Sequence, residues 1–160
     1  MSHGKPTPNG NLLIVDGLNL AFRWKHQGKL DFEYDYVRTV QSLAKSYNCG
    51  EIVVLGDGGS DYRKEIYPEY KANRKERYAE QTPEEEQEFL EFLQEFSLTM
   101  KQLKSKGYLT LKYRGVEADD IASLIVQNRE NLGLDEIWLI SSDKDWDLLI
   151  NDKVSRFSTV

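Results

Sequence analysis

Two hydrophobic periodicities alternate along this chain. "NLLIVDG" (11–17) and "EIVVLGD" (51–57) are short, unbroken apolar runs rich in β-branched residues, each ending in a Gly and an Asp. Runs of that length without polar alternation suit strands covered on both faces, as in a parallel sheet. "LTLKYRG" (109–115) and "DEIWLISSD" (135–143) predict two more strands, and "KVSRFS" (153–158) a weaker fifth. Between the first two strands the period changes. "YDYVRTVQSLAKSY" (34–47) puts Val37, Val40, Ala44 and Tyr47 at three- and four-residue intervals, the apolar stripe of a helix. Before the third strand, "TPEEEQEFLEFLQEFSLTMKQLKSKG" (82–107) predicts a long helix. Thr82 is its N-cap, Pro83 takes the first helical position, Glu85 completes a capping box, and Gly107 is the stop. Strands alternating with helices predict an α/β fold with a mainly parallel sheet.

The segment "RGVEADDIASLIVQ" (114–127) predicts a further helix with Ile121, Leu124 and Ile125 on its buried face, yet its first turn crowds three carboxylates. Glu117 precedes Ile121 by four and Asp120 precedes Leu124 by four, so both are expected to continue the inward stripe, away from bulk water. Asp119 lies between them. Asp16 closes the first strand, Asp57 the second, and Asp143 and Asp145 follow the fourth. In parallel α/β sheets, ligands bind beyond the carboxyl ends of the strands. Acids at a helix N-terminus are favoured by the macrodipole by roughly 0.3–1 kcal/mol each, and Asp after a strand is ordinary turn chemistry. Neither effect accounts for four strand ends sending carboxylates to one edge. Such a cluster repels itself unless cations neutralise it. All-oxygen donors point to Mg²⁺ or Mn²⁺ over zinc, and a two-metal site of this kind acts on phosphodiesters. The two histidines, His3 and His26, are too few and too far apart for a histidine site. The single Cys49 excludes an internal disulfide and a cysteine-based zinc site, and makes a reducing cytoplasm the expected compartment.

One stretch breaks the alternation. "DYRKEIYPEYKANRKERYAE" (61–80) carries Arg63, Lys64, Lys71, Arg74, Lys75 and Arg77 interleaved with Tyr62, Tyr67, Tyr70 and Tyr78. Connections in compact domains usually run about 4–6 residues. Lys and Arg attract phosphates, and Tyr faces stack on unpaired bases at roughly 1–3 kcal/mol per base. The plainer alternative is a solvated helix laced with surface charge. The net charge of −6 argues against a protein that coats nucleic acid through bulk positive charge, but leaves room for a local basic surface. The length of 160 residues bounds the chain to one domain, or most of one. No apolar run approaches the ~20 residues of a membrane span, and "MSHGKPTPNG" (1–10) reads as a loose polar leader. Trp24, Trp138 and Trp146 read as packing residues, Asp147 as a helix-start residue, and Cys49 as an inert thiol.

Five pieces in order, "LIVDGLNLAFRWKH", "SLAKSY" followed by "VLGD", "PEYKANR", "RGVEADD" and "WLISSDKDWDLL", resemble the phage and bacterial 5′→3′ exonuclease/flap endonuclease family, and most resemble its T5-type coliphage branch. The resemblance runs from about residue 11 to 157. It implies a PIN-like 5′-nuclease domain over 11–160, with a helical arch at about 61–100, that cleaves DNA near 5′ ends and flap junctions in a bacterial or phage-infected cell. By motif it implies that Asp16, Asp57, Glu117, Asp119 and Asp120 bind a first Mg²⁺ or Mn²⁺, directly or through water, and that Asp143 and Asp145 serve a second. Lys71 and Arg74 would face the scissile phosphate, Tyr70 would stack near the reacting nucleotide, and Arg23, Lys75 and Arg77 would contact DNA. Family members continue into a Gly-Asp-rich segment with further aspartates and a helix–three-turn–helix element that grips duplex DNA. The resemblance therefore implies a C-terminal part lying beyond these motifs, supplied in one form by a second polypeptide. A PIN-type ribonuclease and a catalytically weak flap-binding module stay open as alternatives. A phosphoacceptor domain has no evident use for the basic arm.

Overall fold

The computed structural model describes residues 10–56, 82–113 and 115–159. The leader (1–9), Asp57 and the whole basic arm (61–80) lie outside the described residues. Five strands, β1 (Leu12–Asp16), β2 (Glu51–Leu55), β3 (Leu109–Leu111), β4 (Ile137–Ile140) and β5 (Val154–Phe157), form one sheet in the order β3-β2-β1-β4-β5. Every neighbouring pair is parallel. Among the described residues four helices accompany them: α1 (Gly17–His26), α2 (Glu33–Ser46), α3 (Pro83–Ser105) and α4 (Ala118–Gln127), with a 3-10 helix (Lys144–Leu149) between β4 and β5.

The apolar runs are continuous because both sheet faces are covered. Leu13, Val15, Val54 and Ile140 enter one core with Leu20, Trp24, Tyr36, Val40, Phe92 and Phe96 of α1, α2 and α3. Leu12, Ile14, Val53, Leu55, Ile137 and Leu139 enter a second core with Ala118, Ile121 and Ala122 of α4 and with Trp146. The chain thus builds outward from β1 in one direction as far as β3, then returns to place β4 on the other side of β1. That reversal puts a topological switch point between β1 and β4, where open α/β sheets form their ligand crevice at the carboxyl ends.

The capping box opens α3 as its sequence requires. Thr82 Oγ1 accepts from Glu85 N–H at 3.1 Å, and Glu85 Oε1 accepts from Thr82 N–H at 3.3 Å. Beyond the end of α3, Gly107 takes φ +93°, a backbone region that suits glycine. One helix is added and two expectations are corrected. α1 is a helix that periodicity alone leaves unassigned, because it starts at the residue after β1 and its apolar positions merge with the strand's. β3 stops at Leu111, short of 115, because the chain turns through Gly115 at φ +75°. Leu124 is 61% exposed. The buried stripe of α4 is centred on Ala118, Ala122 and the half-buried Ile125, and at about 100° per residue this turns position 124 off the core. Among the described residues no helix is long and apolar enough to cross a membrane.

Candidate metal centre

β1 delivers Asp16 to the switch point, and the next residue begins α1. Asp16 stands at the N-cap position but makes no side-chain cap bond. Its carboxylate is instead buried, 7% exposed, with Oδ2 accepting a 2.8 Å bond from the Ser141 hydroxyl at the end of β4. The turn is tight for a reason visible in Gly17, where a Cβ would lie 2.5 Å from the Leu55 carbonyl oxygen. Only glycine lets the start of α1 press against the end of β2, the strand that Asp57 follows. The Tyr36 hydroxyl donates to the Gly17 carbonyl at 2.7 Å. Burial, helped by the negative charge of Asp16, holds the Tyr36 phenol well above its ordinary pKa, so it remains a neutral donor.

Past β4 the chain is held from three sides. The Ser141 oxygen that donates to Asp16 also accepts the Asp143 N–H at 3.1 Å, so one hydroxyl links the carboxylate at the end of β1 to the backbone that follows β4. Asp143 Oδ1 accepts the Asp145 N–H at 2.9 Å, capping the 3-10 helix that Trp146 anchors in the core. Asn19 of α1 accepts from the Ser142 N–H at 2.9 Å and donates to the Ser142 hydroxyl at 2.8 Å. From β5, Arg156 donates to the Ser141 carbonyl at 2.9 Å and to the Asp147 carboxylate at 2.5 Å. Asp147 is therefore an ion-pair partner inside the 3-10 helix.

The third contribution comes from α4, which follows β3 and packs on β1, β2 and the 3-10 helix. Glu117 is its N-cap residue, again without a side-chain cap bond. Glu117, Asp119 and Asp120 each place a carboxylate oxygen within 4.8 Å of the others. The expectation that Asp120 turns away from water is corrected. It lies on the outer side of the stripe and is exposed, while Glu117 and Asp119 are half-buried. The donor set is carboxylate oxygen throughout, at a spacing one cation can span, and this suits a hard divalent ion.

The structure thus joins Asp16 to Asp143 through Ser141 and gathers Glu117, Asp119 and Asp120 at the start of α4. Asp143 and Asp145 are exposed at the mouth of the switch point. Arg23 lies in the second half of α1, in the groove that separates it from α2. Asp57, Tyr70, Lys71, Arg74, Lys75 and Arg77 fall outside the described residues. Sequence reading passes over Ser141, Asn19 and Arg156. A Ser or Asn beside a strand end reads as turn chemistry, and the pairing of 19 with 142 needs the sheet order.

A doubly wound parallel sheet, with Asp16 linked to the segment after β4 at its switch point and a carboxylate group at the start of α4 whose spacing suits a divalent ion, defines an α/β domain with a candidate metal centre. Residues 11–159 match the family described as 5′-3′ exonuclease, N-terminal resolvase-like domain, and the chain belongs to it. It is 50% identical over 153 residues to the flap endonuclease of Escherichia phage T5, covering 92% of this chain and 51% of that protein. It is 30% identical over 128 residues to a 5′-3′ exonuclease of Buchnera aphidicola, covering 76% of this chain and 39% of the relative. Among solved structures, T5 5′-exonuclease with bound zinc superposes with a TM-score of 0.82 at 50% identity, over 93% of this chain and 55% of that one. A T5 flap endonuclease variant in a pseudo-enzyme-product complex with DNA and metal ions gives a TM-score of 0.81 at 48% identity, over the same shares of 93% and 55%. The chain spans about half the length of these T5 proteins. The fold is PIN-like, as the motifs imply.

Proposed function

We propose that this chain is the catalytic half of a divalent-metal-dependent 5′ nuclease that hydrolyses DNA phosphodiesters at 5′ ends and flaps. What supports the reading is the link from Asp16 through Ser141 to the Asp143 backbone, together with the Glu117–Asp119–Asp120 carboxylate group at the start of α4, in a member of this family. Asp16, Asp57, Glu117, Asp119 and Asp120 would hold one Mg²⁺ or Mn²⁺, and Asp143 and Asp145 would serve a second. Such a pair would supply water activation and charge stabilisation for an in-line displacement at phosphorus. Ser141 keeps Asp16 and the Asp143 backbone in register. Lys71 and Arg74 stabilise negative charge developing on the phosphate, Tyr70 stacks on a base, and Arg23, Lys75 and Arg77 hold backbone phosphates. A second polypeptide supplying further aspartates and a duplex grip completes the proposal.

The test is cleavage of 5′-labelled flap DNA by the purified chain with Mg²⁺ or Mn²⁺, beside Asp143→Asn and a single-stranded RNA substrate. Metal-dependent cutting of the DNA that disappears in the folded variant is the expected result. Undiminished turnover by Asp143→Asn would sink the mechanism, and a preference for the RNA would replace the substrate class.

A further inference from the structure

The site described so far draws on Arg23 alone from a larger built feature. Between α1 and α2 lies an open groove of about 440 Å³, walled by Arg23 and Trp24 on one side and by Asp35, Arg38, Thr39 and Ser42 on the other. Among the described residues its one lining carboxylate, Asp35, is already taken up by an ion pair with Lys29. The Arg23 guanidinium lies over the Trp24 ring at 5.6 Å, and that of Arg38 over the Tyr34 ring at 5.5 Å. Among the described residues neither arginine has a carboxylate partner. An arginine stacked on a ring keeps its in-plane N–H donors for another ligand. Two such cations beside two hydroxyl donors, with the local acid neutralised, make a setting for a group rich in acceptor oxygens and negative charge.

The position of the groove narrows the ligand. Arg23 follows Asn19 by four residues, so the two share a face of α1 one turn apart. Asn19 is the residue clipped to Ser142, next to Asp143. The Arg23 wall of the groove therefore stands one helical turn along α1, a rise of roughly 5.4 Å, from the residue clipped to the segment that carries the second acidic group.

We infer that this groove binds a backbone phosphate of the nucleic-acid strand beyond the scissile position, with Arg38, Thr39 and Ser42 of α2 completing a subsite of which Arg23 is one wall. The identity of the strand rests on the nuclease reading; the groove and its two arginines do not. Arg38 is its specific element, because it brings the second positive charge and the second set of fork donors.

The test is fluorescence anisotropy of a labelled oligothymidylate with the chain in EDTA, across a range of NaCl concentrations, for the wild type, Arg38→Gln and Lys45→Gln. Lys45 is exposed on the same helix but outside the groove, so its variant removes the same charge from the wrong place. Arg38→Gln is expected to weaken binding about three- to tenfold and to flatten the salt dependence by about 0.7 in log–log slope, the value of one single-strand phosphate contact. Lys45→Gln is expected to change the slope far less. Equal effects of the two variants would overturn the subsite, as would loss of the native melting transition in neither alongside unchanged affinity in both. Thymidine 5′-monophosphate and inorganic phosphate serve as competitors. If millimolar monophosphate removes the Arg38-dependent share of binding, the groove takes a free phosphate and the strand assignment falls. The flap-cleavage assay separates the two readings. Cutting by the wild type with no Arg38 effect on affinity removes this subsite alone, whereas failure of the wild type both to cut and to bind removes the nuclease reading beneath it.

Discussion

At the scale of single residues, the site depends on a neutral hydroxyl. Ser141 donates to Asp16 and accepts from the Asp143 backbone, so its oxygen fixes the spacing of acids that arrive from different strands. Outer contacts of this kind typically contribute 10–100-fold in metal affinity. Ser141→Ala is expected to keep the native fold and to weaken Mn²⁺ binding by about that factor in calorimetric titration. An unchanged affinity would show that the bridge is incidental. The acids themselves were legible in the sequence because strand ends can be read from apolar runs. Ser141 was not, because its role needs Asp16 and β4 to be neighbours. Cys49 behaves as its isolation suggests. Burial, with the charge of Glu136 adding, pushes its thiol up to about 11. The sign follows: the thiolate is scarce in the folded state below that value and more abundant in the unfolded chain, whose thiol titrates near 8.5. At pH 8 alkylation by iodoacetamide should be at least about tenfold slower for the native protein than for the denatured chain. Equal rates would mean that the thiol is not protected.

At the scale of elements, two short segments hold the acids in place. The start of α1 is pressed against the end of β2 so closely that a Cβ at Gly17 would sit 2.5 Å from a backbone oxygen, with Phe96 at 3.1 Å behind it. Backbone cannot give way as a flexible side chain does. Gly17→Ala is therefore expected to lose about 1–3 kcal/mol, or more, in urea unfolding. A neutral outcome would mean that β1 and β2 are not held in this register. The 3-10 helix is tied down by Arg156, which reaches the Ser141 carbonyl and the Asp147 carboxylate together. Lysine keeps the charge but cannot serve both acceptors with one planar fork. Most of the element order was readable from the two periodicities, including the capping box of α3. α1 was not, since a helix that begins where a strand ends gives no polar break. The burial of Leu124 was misjudged because three apolar residues in α4 admit two stripes, and only packing against the sheet selects the one through Ala118 and Ala122.

At the scale of the whole molecule, clustered carboxylates favour a cation that joins them in the folded state. Glu117, Asp119 and Asp120 crowd within 4.8 Å at a helix start, where the macrodipole offsets only part of their repulsion. A divalent ion bound to the native state alone adds stability by mass action, about 2.7 kcal/mol at a hundredfold excess over its dissociation constant. For a chain of this size that corresponds to a rise of about 5–10 °C in melting temperature. The wild type should show that rise on addition of Mn²⁺ beyond what NaCl of matched ionic strength produces. Asp120→Asn should show less of it, since it removes one oxygen donor from an exposed position where substitution leaves the core intact. The comparison decides between a metal-binding cluster and an ordinary acidic helix start. If Mn²⁺ and matched NaCl shift the transition equally in both proteins, the carboxylates are only being screened, and the family's metal chemistry does not reside in these residues. If the Mn²⁺ shift is large and depends on Asp120, the repulsion built into α4 is the negative field that the ion completes.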